Sequence, residues 1–321
     1  MEKIDLELLK DRSLMLKKVR SFFLKRKFLE VDTPSLLQKP SVDQHIDVLK
    51  TKASDHLPAY LATSPEYCLK RLLVKDVGDI YQMSHVFRFG ELGSLHNPEF
   101  MMIEWYRKNI SYSAFLKELI ALISLFLGKK PSQRSSYRKI FLKHTKLDPF
   151  LSSTKDLYRF IKKKISPSLS SMPDDIDLWD KDTLLNFIMS TFIEKHLGKN
   201  NFVILDEYPA SQAALAKTKL KNQQKIAERF EIYYQGLELA NGYHELFDLN
   251  TIRKRFFEAN QKRKKGQKEV LPLDEKFLKS LGLAKNLKSC YGVAVGFDRL
   301  MMLRHKKQQI KTILPFAFDE T

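Results

Sequence analysis

The sequence predicts an α+β fold built on a mixed, mostly antiparallel sheet flanked by helices. Three observations carry that expectation. Strand-like and helix-like segments interleave irregularly, unlike the regular alternation of a doubly wound parallel sheet. The chain has 321 residues, 43% of them hydrophobic, enough to bury a sizeable core. No uninterrupted apolar run approaches the roughly 20 residues needed to cross a bilayer.

Residues 11–28 read as a helix, with Asp11 as N-cap and Met15, Val19, Phe22 and Phe23 as its apolar stripe. Phe28-Leu29-Glu30-Val31 reads as a strand closed by Thr33-Pro34, because proline cannot donate to a ladder. Thr63-Ser64-Pro65-Glu66 opens a helix from Tyr67 to Lys75, with Ser64 capping and Pro65 in the first turn. A return strand, Phe100 to Tyr106, precedes an amphipathic helix from Tyr112 to Leu127. The region from about 131 to 197 is mostly helical and poor in site-like residues, an expected insertion. Its turn signals are Asp148-Pro149, Ser166-Pro167 and Met172-Pro173-Asp174. Strands return at Phe202 to Leu205, Arg229 to Tyr234 and Leu237 to Leu246, and the tail from Gly292 to His305 is a strand followed by a helix.

Charge and cysteine content narrow the function classes. The net charge of +18 predicts attraction to a polyanion: a nucleic acid, an anionic surface or an acidic protein. The basic runs Lys129 to Lys164 and Arg253 to Lys268 fit a binding patch or a solvated helix face equally well. Cys68 and Cys290 lie far apart without metal-ligand spacing and read as reduced thiols of a cytoplasmic protein. The N-terminus, Met1 to Arg12, is charged and lacks a signal-peptide apolar block.

Three segments carry chemistry. The first, Phe87 to Phe100, places Arg88 at the end of an apolar run, then a glycine-containing loop, then His96-Asn97 and a return strand. Arginine can fork onto a phosphate and phenylalanine can stack on a purine, so the layout suits a nucleotide. In the second, Glu231, Glu238 and Glu245 recur at intervals of seven. With Gln235-Gly236 as a two-residue hairpin loop, Tyr233 faces Glu238, and Glu231 lies diagonal to Glu238. Two neighbouring carboxylates plus substrate phosphates suit Mg²⁺. Glu245 has the wrong parity unless the strand bulges, and Asn241-Gly242 is the expected place. In the third, Gly292, Ala294 and Gly296 leave one strand face nearly bare, either for a ligand or for tight packing. Asp298 is expected to cap the next helix, with Arg299 in its first turn beside a bound anion.

Taken together, these segments resemble the catalytic domain of a class II aminoacyl-tRNA synthetase. The helix-strand-Pro34 stretch resembles its first motif, Phe87 to Tyr106 its second and Gly292 to Leu303 its third. Thr63-Ser64-Pro65-Glu66, His96-Asn97-Pro98-Glu99-Phe100 and Glu238-Leu239-Ala240-Asn241-Gly242 look like the lysyl-tRNA synthetases. Tyr208 to Ala216, the Glu238 to Glu245 stretch and Ala294 are similar to the elongation factor P (R)-β-lysine ligases, their truncated paralogues. The first motif begins by about residue 12, so residues 1–321 are expected to form one catalytic domain without an anticodon-binding domain.

The resemblance implies ATP-dependent activation of (R)-β-lysine and its transfer to a lysine side chain of elongation factor P, in a cytoplasmic homodimer with no membrane or tRNA partner. The alternatives are a minimal lysyl-tRNA synthetase and a catalytically silent binding or regulatory paralogue. By position, Arg88 and Arg299 are the implied catalytic residues. Glu91, His96, Asn97, Phe100, Glu238, Leu239 and Gly296 complete the ATP site. Ser64, Glu66, Tyr106, Asn241, Glu245 and Ala294 line the amino-acid pocket, and Glu231 and Glu238 bind Mg²⁺. Two positions depart from the family pattern. Gly90 replaces a carboxylate normally found two residues after the arginine, so that contact is lost or passes to Glu91. Ser94 replaces a residue that is often basic.

Overall fold

The computed structural model describes residues 5–165, 176, 179–284, 287 and 289–321. The expected turns at Ser166-Pro167 and Met172-Pro173-Asp174 lie outside the described residues. In chain order the elements are α1 (Leu6–Leu24), β1 (Leu29–Glu30), β2 (Leu36–Leu37), β3 (Lys50–Ser54), β4 (Leu57–Leu61), α2 (Glu66–Leu73), β5 (Ile80–Phe87), β6 (Glu99–Lys108) and α3 (Tyr112–Leu127). They continue with β7 (Ser132–Ser136), α4 (Tyr137–Thr145), α5 (Thr154–Lys164), α6 (Lys181–Ile188), β8 (Phe202–Pro209), β9 (Thr218–Lys221), β10 (Gln224–Tyr234) and β11 (Leu237–His244). The last are α7 (Leu249–Lys265), α8 (Glu275–Leu281), β12 (Cys290–Gly296) and α9 (Phe297–Arg304). The chain divides into two compact units, Met1–Lys129 with Glu245–Thr321, and Lys130–His244.

In the first unit, β1 pairs parallel with β5, β5 antiparallel with β6, and β6 antiparallel with β12. A small separate sheet has the order β2-β4-β3. The stripe of α1 is buried at Leu8, Met15, Val19, Phe22 and Phe23. Phe23 stacks on Tyr81 at 4.1 Å and meets Trp105 edge-on, so α1 is anchored to β5 and β6. The helix starts earlier than expected. Asp5 is the N-cap, accepting from Leu8 N at 3.1 Å. Asp11 is held instead by Arg304 and His305 at the end of α9. Helix α3 matches its expected bounds and is capped by Ser111.

In the second unit, β11 and β8 flank β10 antiparallel, β9 pairs with β10, and β7 lies parallel to β8. Helices α4 to α6 bury Phe141, Leu157, Ile161, Leu184 and Ile188 with Leu205 and Tyr233 of the strands. The hairpin loop Gln235-Gly236 is as expected: both residues have positive φ, and Tyr234 pairs with Leu237. Its bulge is not at Asn241-Gly242. The register slips between Ile232 and Tyr233, skipping Leu239, because Ile232 pairs with Ala240 while Tyr233 still pairs with Glu238. That slip puts Asn241 on the face of Glu238. The basic run Arg253 to Lys268 is partly structural. Arg263 is buried and binds Asp47 and the carbonyls of Asp43 and Ile46.

Candidate active site

Three segments distant in sequence meet on β6 of the first unit. Strand register sets Tyr106 opposite Gly292, Glu104 opposite Ala294 and Met102 opposite Gly296. Side chains two apart on a strand share a face, so Glu104 and Tyr106 point the same way. The Tyr106 hydroxyl donates to Glu104 Oε1 and the Ser64 hydroxyl to Glu104 Oε2, both at 2.7 Å. Ser64 also accepts from Glu66 N at 3.0 Å, fixing the start of α2. Glu66 and Lys70 lie one helical turn apart, and Lys70 Nζ donates to Glu66 Oε1 at 2.8 Å. The same amine lies 2.5 Å from Glu245 Oε2.

This pocket therefore holds Glu66 and Glu245 on one ammonium, with Glu104 beside them. Burial and the neighbouring Glu66 charge push the Glu104 carboxyl up to about 7, against the hydrogen bonds it accepts. Burial raises Glu245 to about 8, although Lys70 opposes the rise. Burial works against the Lys70 charge, but Glu245 and Glu66 outweigh it and keep the amine protonated. Three carboxylates cannot all be neutralised by one cation, so the pocket suits a ligand that brings further ammonium groups.

At Gly292 the bare strand face is filled by protein. An added Cβ would stand 2.3 Å from Glu245 Oε1 and 2.4 Å from the Tyr106 ring. Close packing explains this glycine. At Gly296 the space is ordinary, with Arg299 side-chain carbons at 3.7–3.8 Å.

The hairpin of β5 and β6 positions the next group. Arg88 N donates to Pro98 O, closing the loop, and Gly90 supplies a positive φ within it. The Arg88 guanidinium lies 5.0 Å from the Phe100 ring centroid and binds Glu91 at 3.3 Å. Glu91 thus reaches the arginine from one residue beyond Gly90. Arg299 Nη2 donates to His96 Nε2 at 2.8 Å, joining α9 to the hairpin loop. Burial and the Arg299 charge hold the His96 pKa below its ordinary value, consistent with a neutral acceptor. Asn97 is pinned through its amide, donating to Glu99 O and accepting from Phe318 N.

Asp298 does not cap α9; the N-cap is Gly296. The Asp298 carboxylate is buried and accepts from Arg12 Nη1 at 2.6 Å and Met101 N at 2.7 Å. It ties α1, β6 and α9 together immediately beside Arg299.

The second unit carries Glu231, Glu238, Leu239 and Asn241. Glu231 is buried. Arg229 binds its Oε1 at 2.6 Å, and the hydroxyls of Tyr208 and Tyr233 both donate to its Oε2. These three contacts orient the Glu231 carboxylate, and Oε1, with Arg229 as its one hydrogen-bond partner among the described residues, keeps a second lone pair. Among the described residues no group of three or more His, Cys, Asp or Glu side chains could hold a metal. Leu239 is buried at the bulge. Asn241 Oδ1 is shielded from solvent and has no hydrogen-bond partner among the described residues.

Sequence reasoning missed Glu104 and Lys70. Both were accessible through spacing: Glu104 lies two before Tyr106 on a strand, and Lys70 four after Glu66 on a helix.

An arginine hairpin thus joins an arginine helix beside an antiparallel sheet that carries an acidic pocket. The family model of tRNA synthetases class II (D, K and N) matches residues 3–320. Relatives named elongation factor P–(R)-β-lysine ligase come from Buchnera aphidicola subsp. Acyrthosiphon pisum (strain Tuc7), at 36% identity, and from Haemophilus influenzae (strain ATCC 51907 / DSM 11121 / KW20 / Rd) and Salmonella typhi, each at 38%. Each alignment covers 96% of this chain and 94% of the relative. The chain belongs to the class II tRNA synthetase family and, within it, to the family of elongation factor P–(R)-β-lysine ligases.

Proposed function

We propose that this enzyme activates (R)-β-lysine with ATP and transfers it to a lysine side chain of elongation factor P. The observation that carries the reading is the pocket in which buried Lys70 bridges Glu66 and Glu245, with buried Glu104 beside them. A substrate with two ammonium groups meets that charge; a neutral side chain does not.

In the first step the substrate carboxylate attacks the α-phosphorus in line, giving an aminoacyl-adenylate and pyrophosphate. Arg88 holds the α-phosphate and stabilises its developing charge. Arg299, steadied by neutral His96, meets the outer phosphates. Phe100 and Asn97 hold the adenine, with Glu91 and Gly296 completing the nucleotide contacts. Ser64, Tyr106 and Ala294 shape the amino-acid pocket. In the second step the neutral ε-amine of the acceptor lysine attacks the acyl carbon. AMP leaves with the electron pair, and the amine nitrogen gives up a proton. Glu231 and Glu238 would hold Mg²⁺, which would offset phosphate charge when bound.

The positive charge of the enzyme suits an acidic acceptor. Among the described residues no helix is long and apolar enough to cross a membrane, and a cytoplasmic location is proposed. We also propose a homodimer through α1, which exposes Leu6, Leu14 and Leu24 beside its buried stripe. Pyrophosphate exchange tests the activation step. ATP-dependent exchange with (R)-β-lysine above α-lysine supports the reading, and exchange with neither amino acid overturns it.

A further inference from the structure

Neither the sequence pattern nor the motif resemblance gives Lys70 a role, yet it is fully buried at the centre of the acidic pocket. Its amine reaches carboxylates from two separate segments, Glu66 of α2 and Glu245 beyond β11. The other groups facing the cluster carry no charge to balance it. Tyr106 and Cys290 are held neutral, because burial pushes the phenol and the thiol well above their ordinary values. Ser64 is a neutral donor to Glu104. Asp79 and Lys108 act on Cys290 from further along the sheet, with opposite signs. Three carboxylates and one ammonium leave a demand for two positive charges.

We infer that Lys70 sets the charge demand of the amino-acid pocket, cancelling one of three carboxylates so that a substrate with two ammonium groups is matched. The inference rests on the proposed amino-acid pocket. Lys70 acts through Glu66 and Glu245 and is a positioning residue. A substrate with one amine leaves a buried carboxylate that must take a proton instead. Without a substrate, protons meet part of the demand, since Glu104 and Glu245 are raised to about 7 and about 8. Binding a diamine displaces those protons. Affinity for it rises with pH across that range, and protons are released.

The test uses Lys70→Met, Lys70→Arg and the double variant Glu66→Gln/Lys70→Met. The amino-acid KM is followed against pH by pyrophosphate exchange. Protons released on binding (R)-β-lysine are counted by calorimetry in two buffers of different ionisation enthalpy. Lys70→Met adds a third unmet negative charge. It moves the KM midpoint up by about one pH unit, a tenfold loss at fixed pH, and raises the proton release. Lys70→Arg keeps the wild-type midpoint. The double variant returns the demand to two and restores it. A Lys70→Met enzyme whose KM rises equally at every pH, with an unmoved midpoint, overturns the inference. Where Lys70→Met fails to fold, the double variant is compared with Glu66→Gln alone, whose demand of one places its midpoint lower; equal midpoints overturn the inference. Wild-type enzyme that binds no diamine sinks the pocket reading itself, a separate outcome.

Discussion

Replacing Gly292 by alanine tests how tightly β12 and the amino-acid pocket are built. The residue lies within β12, and alanine adopts strand torsions without difficulty. The obstacle is space. The new methyl lands 2.3 Å from Glu245 Oε1 and 2.4 and 2.6 Å from two Tyr106 ring carbons. Carbon contacts prefer about 3.5–4.0 Å, so the neighbours must retreat by about 1 Å. Tyr106 is only 2% exposed and its hydroxyl is tied to Glu104, which leaves the ring nowhere to go. Overpacking of this kind costs roughly 1–3 kcal/mol, and two rigid neighbours put this site at the upper end. For a chain of this size that lowers the melting temperature by roughly 4–5 °C. Displacing Glu245 also weakens a charge-assisted contact of roughly 1.5–3 kcal/mol, so the amino-acid KM rises about tenfold or more while the ATP KM changes little. Gly296→Ala is the control, because its nearest neighbours stand at 3.7 Å. Thermal melts and pyrophosphate exchange measure both effects. A Gly292→Ala enzyme melting within about 1 °C of wild type, with an unchanged KM, would refute the packing argument.

Arg88→Ala is expected to abolish pyrophosphate exchange and leave the melting curve near wild type, since its partners Glu91 and Phe100 remain accessible to solvent. Retained exchange would remove the α-phosphate role. Glu231→Gln leaves Arg229 without its charged partner and is expected to lose roughly 3 kcal/mol in urea unfolding, with exchange needing more magnesium than in wild type. An unaltered magnesium titration would remove the proposed metal role. Glu104 and Glu245 have folded pKa values of about 7 and about 8 against an ordinary 4.5. Their protonated forms support the fold fully below the ordinary value, and that support is lost as pH rises through the folded values. The thermal shift given by saturating (R)-β-lysine should therefore grow from about pH 6 to about pH 9, and a constant shift would contradict the charge account of the pocket.

Much of this architecture was legible in local pattern. Period-2 and period-3.6 apolar spacing located α3, β8, β10 and β12, and the positive-φ pair Gln235-Gly236 announced its hairpin. Errors arose where a local rule met a distant partner. Asp11 and Asp298 look like caps in sequence, yet each is claimed by an arginine nearly the whole chain away, Arg304 and Arg12 respectively. The partners that orient Glu231, namely Arg229, Tyr208 and Tyr233, were not legible in the sequence because the fold supplies them. The bulge moved from Asn241-Gly242 to Leu239 because pairing with β10, rather than glycine content, decides where the register slips. Edge pieces such as β2, β7 and β9 are too short or too polar to carry a period.

The most direct measurement offers the enzyme both acceptors at once. Elongation factor P and tRNA are mixed at equal concentration with ATP and labelled (R)-β-lysine, and the label in each is counted. The account predicts label on elongation factor P, at a lysine side chain, with AMP formed in step and tRNA left bare. Label appearing mainly on tRNA, or on neither acceptor while ATP is consumed, would contradict it.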